Sequence, residues 1–268
     1  MTALAARRRH PLALVVLIAL GLIATGALYA ALAPKPAAAA TASGDDVAAG
    51  RKLFLANCAT CHGLHAQGSA TTKFEGIAGP SLIGVGAASV DFQVGTGRMP
   101  LAAPNVQAAR QDTIKFTPEQ IASMAAYVAS LAPGPAIPDG QYTTGKDGNV
   151  ALGGELFRVN CAMCHNFAGA GGALSRGKYA PSLKGVAGKN VYEAMITGPQ
   201  SMPVFNDANI SPEGKNSIIA WLKTTQEEQN VGGMTLGNLG PVSEGLFVWV
   251  FGLGLMIGCA VWLGQKSA

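Results

Sequence analysis

The residues best suited to chemistry come in two matching sets, Cys58, Cys61 and His62, and then Cys161, Cys164 and His165, each spaced C-x-x-C-H. That spacing suits covalent attachment of a c-type haem. Two thiols two residues apart can each bond one vinyl group, and the adjoining imidazole then reaches the iron. Two copies predict two covalently bound haem c groups, attached through Cys58, Cys61, Cys161 and Cys164, with His62 and His165 as axial iron ligands. Paired cysteines also occur in redox disulfides and as half of a zinc site. Neither chemistry requires a histidine directly after the second cysteine in both copies.

The opposite face of each iron needs its own ligand, and the chain has only 4 histidines. His10 adjoins a basic N-terminal end, and His65 follows His62 too closely to reach the far side of the same haem. Methionine is left. Met99 and Met202 each precede a proline, which disfavours helix and places the methionine on an extended loop. Each also lies 41 residues beyond the first cysteine of its motif. Met195 is a competing candidate in the second half. The others have plainer readings: Met124 on the apolar stripe of a helix, Met163 between two haem cysteines, Met234 past the second repeat, and Met256 in an apolar run. Histidine/methionine ligation fills both axial positions and raises the haem potential, which favours electron transfer over binding of oxygen or peroxide. No independent substrate chemistry is expected.

Positioning these residues is the task of a duplicated unit. Cys58 and Cys161 are 103 residues apart in a chain of 268, which predicts two domains, residues 47–132 and 150–227, joined by linkers at 34–46, 133–149 and 228–243. A helix bearing Val47, Gly50, Phe54 and Asn57, capped by Asp45 or Asp46, delivers the first motif. Beyond the motif, Pro80-Ser81-Leu82 answers Pro181-Ser182-Leu183. Each domain closes with a helix: Thr117-Pro118-Glu119-Gln120 is a capping box opening the face of Ile121, Met124, Ala125, Val128 and Leu131, and Ser211-Pro212-Glu213 opens that of Ile218, Trp221 and Leu222. Met99 to Pro118 is 19 residues, Met202 to Pro212 only 10, so the first domain has an inserted loop around residues 102–115, either a partner contact or a tolerated extra. The Pro/Gly stretch at 132–140 is too stiff and short for freely wandering lobes.

Apolar residues make up 49% of the chain and concentrate in charge-free runs at its ends. Residues 11–33 span about 34 Å at ~1.5 Å per residue, enough to cross a bilayer, and follow Arg7, Arg8 and Arg9, which places residues 1–10 in the cytoplasm. A cleaved signal peptide is the competing reading. A second crossing, at residues 244–264, has Trp249 and Trp262 near its ends and Lys266 just beyond. The net charge of +4 then belongs to Arg7, Arg8, Arg9 and Lys266, because the 15 remaining basic residues balance all 15 acidic ones. A neutral intervening region argues against nucleic-acid binding. Cys259 reads as a small apolar residue of the last run.

Residues 45–130 and 150–225 resemble tandem class I cytochrome c domains, on the twin motifs, the Met-Pro dipeptides and the capped closing helices. The resemblance implies a mainly α fold, two such domains flanked by an N-terminal and a C-terminal transmembrane helix. It also implies a crossing of first and last helices, Gly50 and Phe54 against Tyr127, Gly153 and Phe157 against Trp221. Pro80 and Pro181 would accept the second ring proton of the proximal histidines. With both flanking helices, the chain is similar to the diheme cytochrome c subunit family of actinobacterial cytochrome bc complexes. Such a subunit would be the electron-transfer part of a quinol-cytochrome c reductase in the cell membrane, with extracytoplasmic haem domains. Its partners would be the Rieske iron-sulfur and cytochrome b subunits and an aa-type terminal oxidase in a supercomplex. The diheme subunit of a cbb-type oxidase is the alternative, against which the helix after residue 244 counts. A diheme peroxidase, needing an iron that can lose its distal ligand, is a third.

Overall fold

A computed structural model describes residues 11–32, 43–69, 79–103, 105–227 and 241–265. The basic N-terminal end with His10, most of the first linker, Met234 and Lys266 lie outside the described residues. The chain divides into two compact units, residues 1–41 and 42–268. In the first, Pro11–Leu32 is one helix (α1) with no charged residue, and its apolar side chains are exposed over the whole circumference. Such a surface suits lipid and is uncommon against water.

The second unit holds two copies of one helical frame. The first copy consists of α2 (Gly44–Asn57), the short α3 (Ala59–His62), α4 (Gly86–Gly95) and α5 (Pro118–Leu131). The second consists of α6 (Val150–Asn160), the short α7 (Ala162–His165), α8 (Gly188–Thr197) and α9 (Pro212–Glu227). The only strands among the described residues, β1 (Gly172–Ala173) and β2 (Tyr179–Ala180), form a small antiparallel ribbon in the second copy. The chain ends in α10 (Pro241–Phe247), a π-helical stretch Val248–Leu253 and α11 (Gly254–Gln265). Together these form a second span long and apolar enough to cross a membrane, Ser243–Gln265, and its side chains are exposed.

Local signals account for the helix ends. Helix α2 is capped by Ser43, not by Asp45 or Asp46: Ser43 Oγ accepts from Asp46 N at 3.1 Å, while Asp46 Oδ2 accepts from Ser43 N at 3.2 Å. Asp46 thus serves as the N3 member of a capping box whose cap lies two or three residues earlier than expected. In α5 the box is Thr117 and Gln120, as the sequence indicates. Asn149 caps α6 by accepting from Leu152 N.

In each copy the first and last helices cross at a glycine. A Cβ on Gly50 would run into the Ser123 backbone, and one on Gly153 into that of Ser217, so only glycine permits the approach. One turn on, Phe54 meets Tyr127 at 5.3 Å between ring centroids and Phe157 meets Trp221 at 4.5 Å. These pairs seed the two cores. The first gathers Ile121, Met124, Ala125 and Val128 around Phe54. The second gathers Ile218, Ile219, Leu222 and Met195 around Phe157.

Candidate haem sites

The helix bearing each motif stops at its first cysteine. Cys58 has φ −120° and ψ −31°, Cys161 φ −120° and ψ −36°, and both amides still close onto the helix through Phe54 O and Phe157 O at 2.8 Å. The chain then folds back in one tight turn. The carbonyl of Cys58 accepts from Cys61 N at 3.1 Å and His62 N at 2.9 Å, and that of Cys161 from Cys164 N at 3.1 Å and His165 N at 2.8 Å. Both cysteines and the histidine therefore sit on one helical turn, the arrangement a covalently bonded haem needs. All four thiols are free of disulfides. Among the described residues no three His, Cys, Asp or Glu side chains group as a metal site would require.

Each motif histidine is buried and oriented by a proline carbonyl. His62 Nδ1 donates to Pro80 O at 2.7 Å and His165 Nδ1 to Pro181 O at 2.9 Å. A proline carbonyl can only accept, so Nδ1 carries a proton and Nε2 is the nitrogen left to face an iron. Burial also lowers the affinity of His165 for a second proton, partly offset by the Pro181 bond. Burial of His165 thus favours its neutral imidazole, the form that coordinates iron. Burial, and secondarily the partner thiols Cys61 and Cys164, push Cys58 up to about 11 and Cys161 up to about 12. Both stay uncharged at neutral pH, and neutral thioethers in their place would bring no charge into the site.

In the first copy Cys58, His62 and Pro80 form one side of a cavity of about 500 Å³, and Met99 lines the same cavity. The volume lies within the ordinary range for cofactor sites, about 300–1,000 Å³. The Cys58 thiol, the His62 imidazole and the Met99 thioether line this one cavity, with Cys61 on the same turn as Cys58 and His62, and that set of groups fits a haem. Met202 follows Ser201 on the corresponding loop and packs against the second core. Met195 sits deeper, inside α8, 2% exposed. Its place in that helix matches Gln93 in α4, not Met99, so the pair equivalent in position is Met99 and Met202. Elsewhere, His65 and Met163 are exposed and Met124 is in the core.

Residues 47–132 match the family model for cytochrome c, and residues 148–222 that for cytochrome C oxidase, cbb3-type, subunit III. Over nearly its whole length the chain is similar to proteins named cytochrome bc1 complex cytochrome c subunit. With that of Corynebacterium efficiens it shares 45% identity, covering 93% of this chain and 88% of the relative. With that of Mycobacterium tuberculosis the identity is 43%, over 97% and 93%, and with that of Mycobacterium leprae 44%, over 94% and 87%. The chain belongs to the family of cytochrome bc1 complex cytochrome c subunits. It is therefore an electron-transfer component of a reductase complex, built from cytochrome c domains, the class that binds haem c covalently.

Around this family frame lie residues that motif reading missed. In the second copy the loop after Met202 is pinned from inside: Lys215, 0% exposed, donates from Nζ to Asp207 Oδ1 at 2.6 Å and to Ile210 O at 2.7 Å. Its only signal in the sequence is a lysine on the stripe that continues as Ile218, Ile219 and Leu222. Between the copies, α4 packs on α8, and the sixth residue of each helix is an acid, Asp91 and Glu193. Lys189 bonds Asp91 and stands 3.9 Å from Glu193, whose side chain is fully buried. Burial first, and then Asp91, push Glu193 up to about 9, so it keeps its proton at neutral pH. Nothing in the one-dimensional pattern shows that these acids meet, because equivalent faces of the two copies come together only on folding. The inserted loop of the first copy reaches the second copy as well, through Gln107 and Ala108.

Proposed function

We propose that the chain carries two covalently bound haem c groups, with iron ligand pairs His62/Met99 and His165/Met202. In this reading it relays electrons from the Rieske protein of a quinol-oxidising cytochrome bc complex to an aa-type terminal oxidase held in the same supercomplex. The observation that carries it is the repeated turn that places two cysteines and a Pro-anchored histidine together, with Met99 lining the same cavity. A haem iron closed by histidine and methionine exchanges one electron with little rearrangement and at a raised potential. The chain's own part is to fix both axial groups, keep them uncharged and dry, and exclude other ligands. The helices at both ends support a membrane-held carrier with cytoplasmic termini and extracytoplasmic haem domains, 47–132 and 150–227. Cytochrome b and the Rieske subunit are the partners nearest at hand.

The cbb3-type match to residues 148–222 covers the second copy alone, while the bc1-complex relatives run through both copies and both apolar ends. That breadth favours the bc reading over the cbb-type one. A diheme peroxidase would need an iron site open to substrate, and both copies provide a methionine in the equivalent loop position.

Purification of the complex in mild detergent tests this. Co-purification of b-type haem, the Rieske protein and an aa-type oxidase with two haem c per chain is expected. A lone dihaem protein with peroxidase turnover would overturn the assignment.

A further inference from the structure

Gln107, in the loop present only in the first copy, grips the second copy at both backbone groups of one residue. Its Nε2 donates to Tyr179 O at 2.9 Å, and its Oε1 accepts from Tyr179 N at 2.9 Å. A donor facing a carbonyl and an acceptor facing an amide fix the orientation of the glutamine amide. The next residue, Ala108, is buried, and its N donates to Gln200 Oε1 at 3.5 Å. Gln200 belongs to the segment between α8 and Met202. Residues 197–200 of that segment line the cavity that holds Cys58, His62 and Met99, and so do residues 105–108 of the inserted loop. The first copy's site is therefore incomplete without the second copy, and the inserted loop is where the two are joined.

We propose that the inserted loop is a clamp, in which Gln107 is a positioning residue that seats the methionine-loop segment of the second copy as a wall of the first haem site and thereby sets electron passage between the two sites. The step moves one electron: a ferrous site is oxidised and a ferric site is reduced, no bond forms or breaks, and no co-reactant is required. Passage between redox centres depends on how closely the intervening groups are packed. Residues 197–200 wall the first site and run on in the chain to Met202 of the second, so the clamp acts on a segment shared by both. The inference rests on the two-haem reading above.

The test uses Gln107→Ala and Gln107→Glu in the intact, detergent-purified complex. Two neutral hydrogen bonds at about 1 kcal/mol each predict an increase of tenfold or more in undocked population for Gln107→Ala, read as faster hydrogen exchange at the Tyr179 amide. Gln107→Glu keeps the acceptor and loses the donor, so its exchange should fall between that of Gln107→Ala and the parent. Flash-initiated electron equilibration between the two haems should slow in the same order, in proportion to the docked fraction lost. The midpoint potential of the first haem should shift while that of the second stays put. Faster exchange at Tyr179 with unchanged inter-haem rate and potential would make the contact merely structural and overturn the proposal. Unchanged exchange would overturn it too. Haem content separates the two readings: fewer than two haems per chain in the parent complex would sink the two-haem reading itself, independently of any effect of Gln107.

Discussion

The two haem domains share a frame almost bond for bond but hold their methionine loops in opposite ways. Crossing glycine, aromatic pair, cysteine turn and Pro-anchored histidine recur with near-identical geometry. In the second domain the loop is fastened from within, by the buried Lys215 under Asp207 and Ile210. In the first, the loop runs into an insertion that leans on the neighbouring domain, whose residues 197–200 finish its cavity. A duplicated domain can thus keep its cysteine turn while its two copies fasten their methionine loops by different contacts.

Breaking the shared frame should have the largest effect. Gly50→Ala and Gly153→Ala each put a methyl into a backbone, and a loss of about 2–3 kcal/mol is expected in the domain concerned, read by thermal unfolding followed through haem absorbance. Equal losses would confirm that the crossings are equivalent, whereas a tolerant Gly153 would show that the second domain's inner fastening compensates. Next is Lys215→Ala, which removes the fastening itself. Asp207 is 67% exposed and can turn to water, so the cost, about 2 kcal/mol, comes from the cavity and the unpaired Ile210 carbonyl. The second haem's potential should move and the first haem's should not, the mirror image of Gln107→Ala.

The interface between the domains carries a pH signature of intermediate size. The carboxyl of Glu193 is raised from 4.5 to about 9, so the folded state holds its proton more tightly than the unfolded chain does. Stability should therefore fall as pH rises from about 4.5 and level off above about 9. Glu193→Gln should flatten that slope in melts across the same range, and an unchanged slope would exclude Glu193 as its source. The smallest effect distinguishes the caps. Ser43→Ala removes a reciprocal box and Asn149→Ala a single bond, so losses of about 1 kcal/mol, larger for Ser43, are expected in denaturant titrations.

Much of this architecture is legible in one dimension because the signals are local. A C-x-x-C-H turn, a Thr-Pro-Glu-Gln helix start and a charge-free run each act over a few residues, and their repetition at equal intervals brought Met99 and Met202 forward as a pair. The first helix cap was misread by two or three residues because Ser43, Asp45 and Asp46 are all capable caps. Lys215 and Glu193 were passed over for a different cause. A charged residue on an apolar stripe reads as surface until its partners, Asp207 or Asp91, are brought in from elsewhere.

By itself, then, the sequence determined the two C-x-x-C-H turns, the helices that carry them and the apolar ends, because each depends on contacts within one or two turns of chain. Only the tertiary structure decided what the extra loop of the first domain does. Whether Gln107 faces solvent, an outside partner or Tyr179 depends on how α4 and α8 pack, and that packing joins residues about a hundred positions apart in the chain.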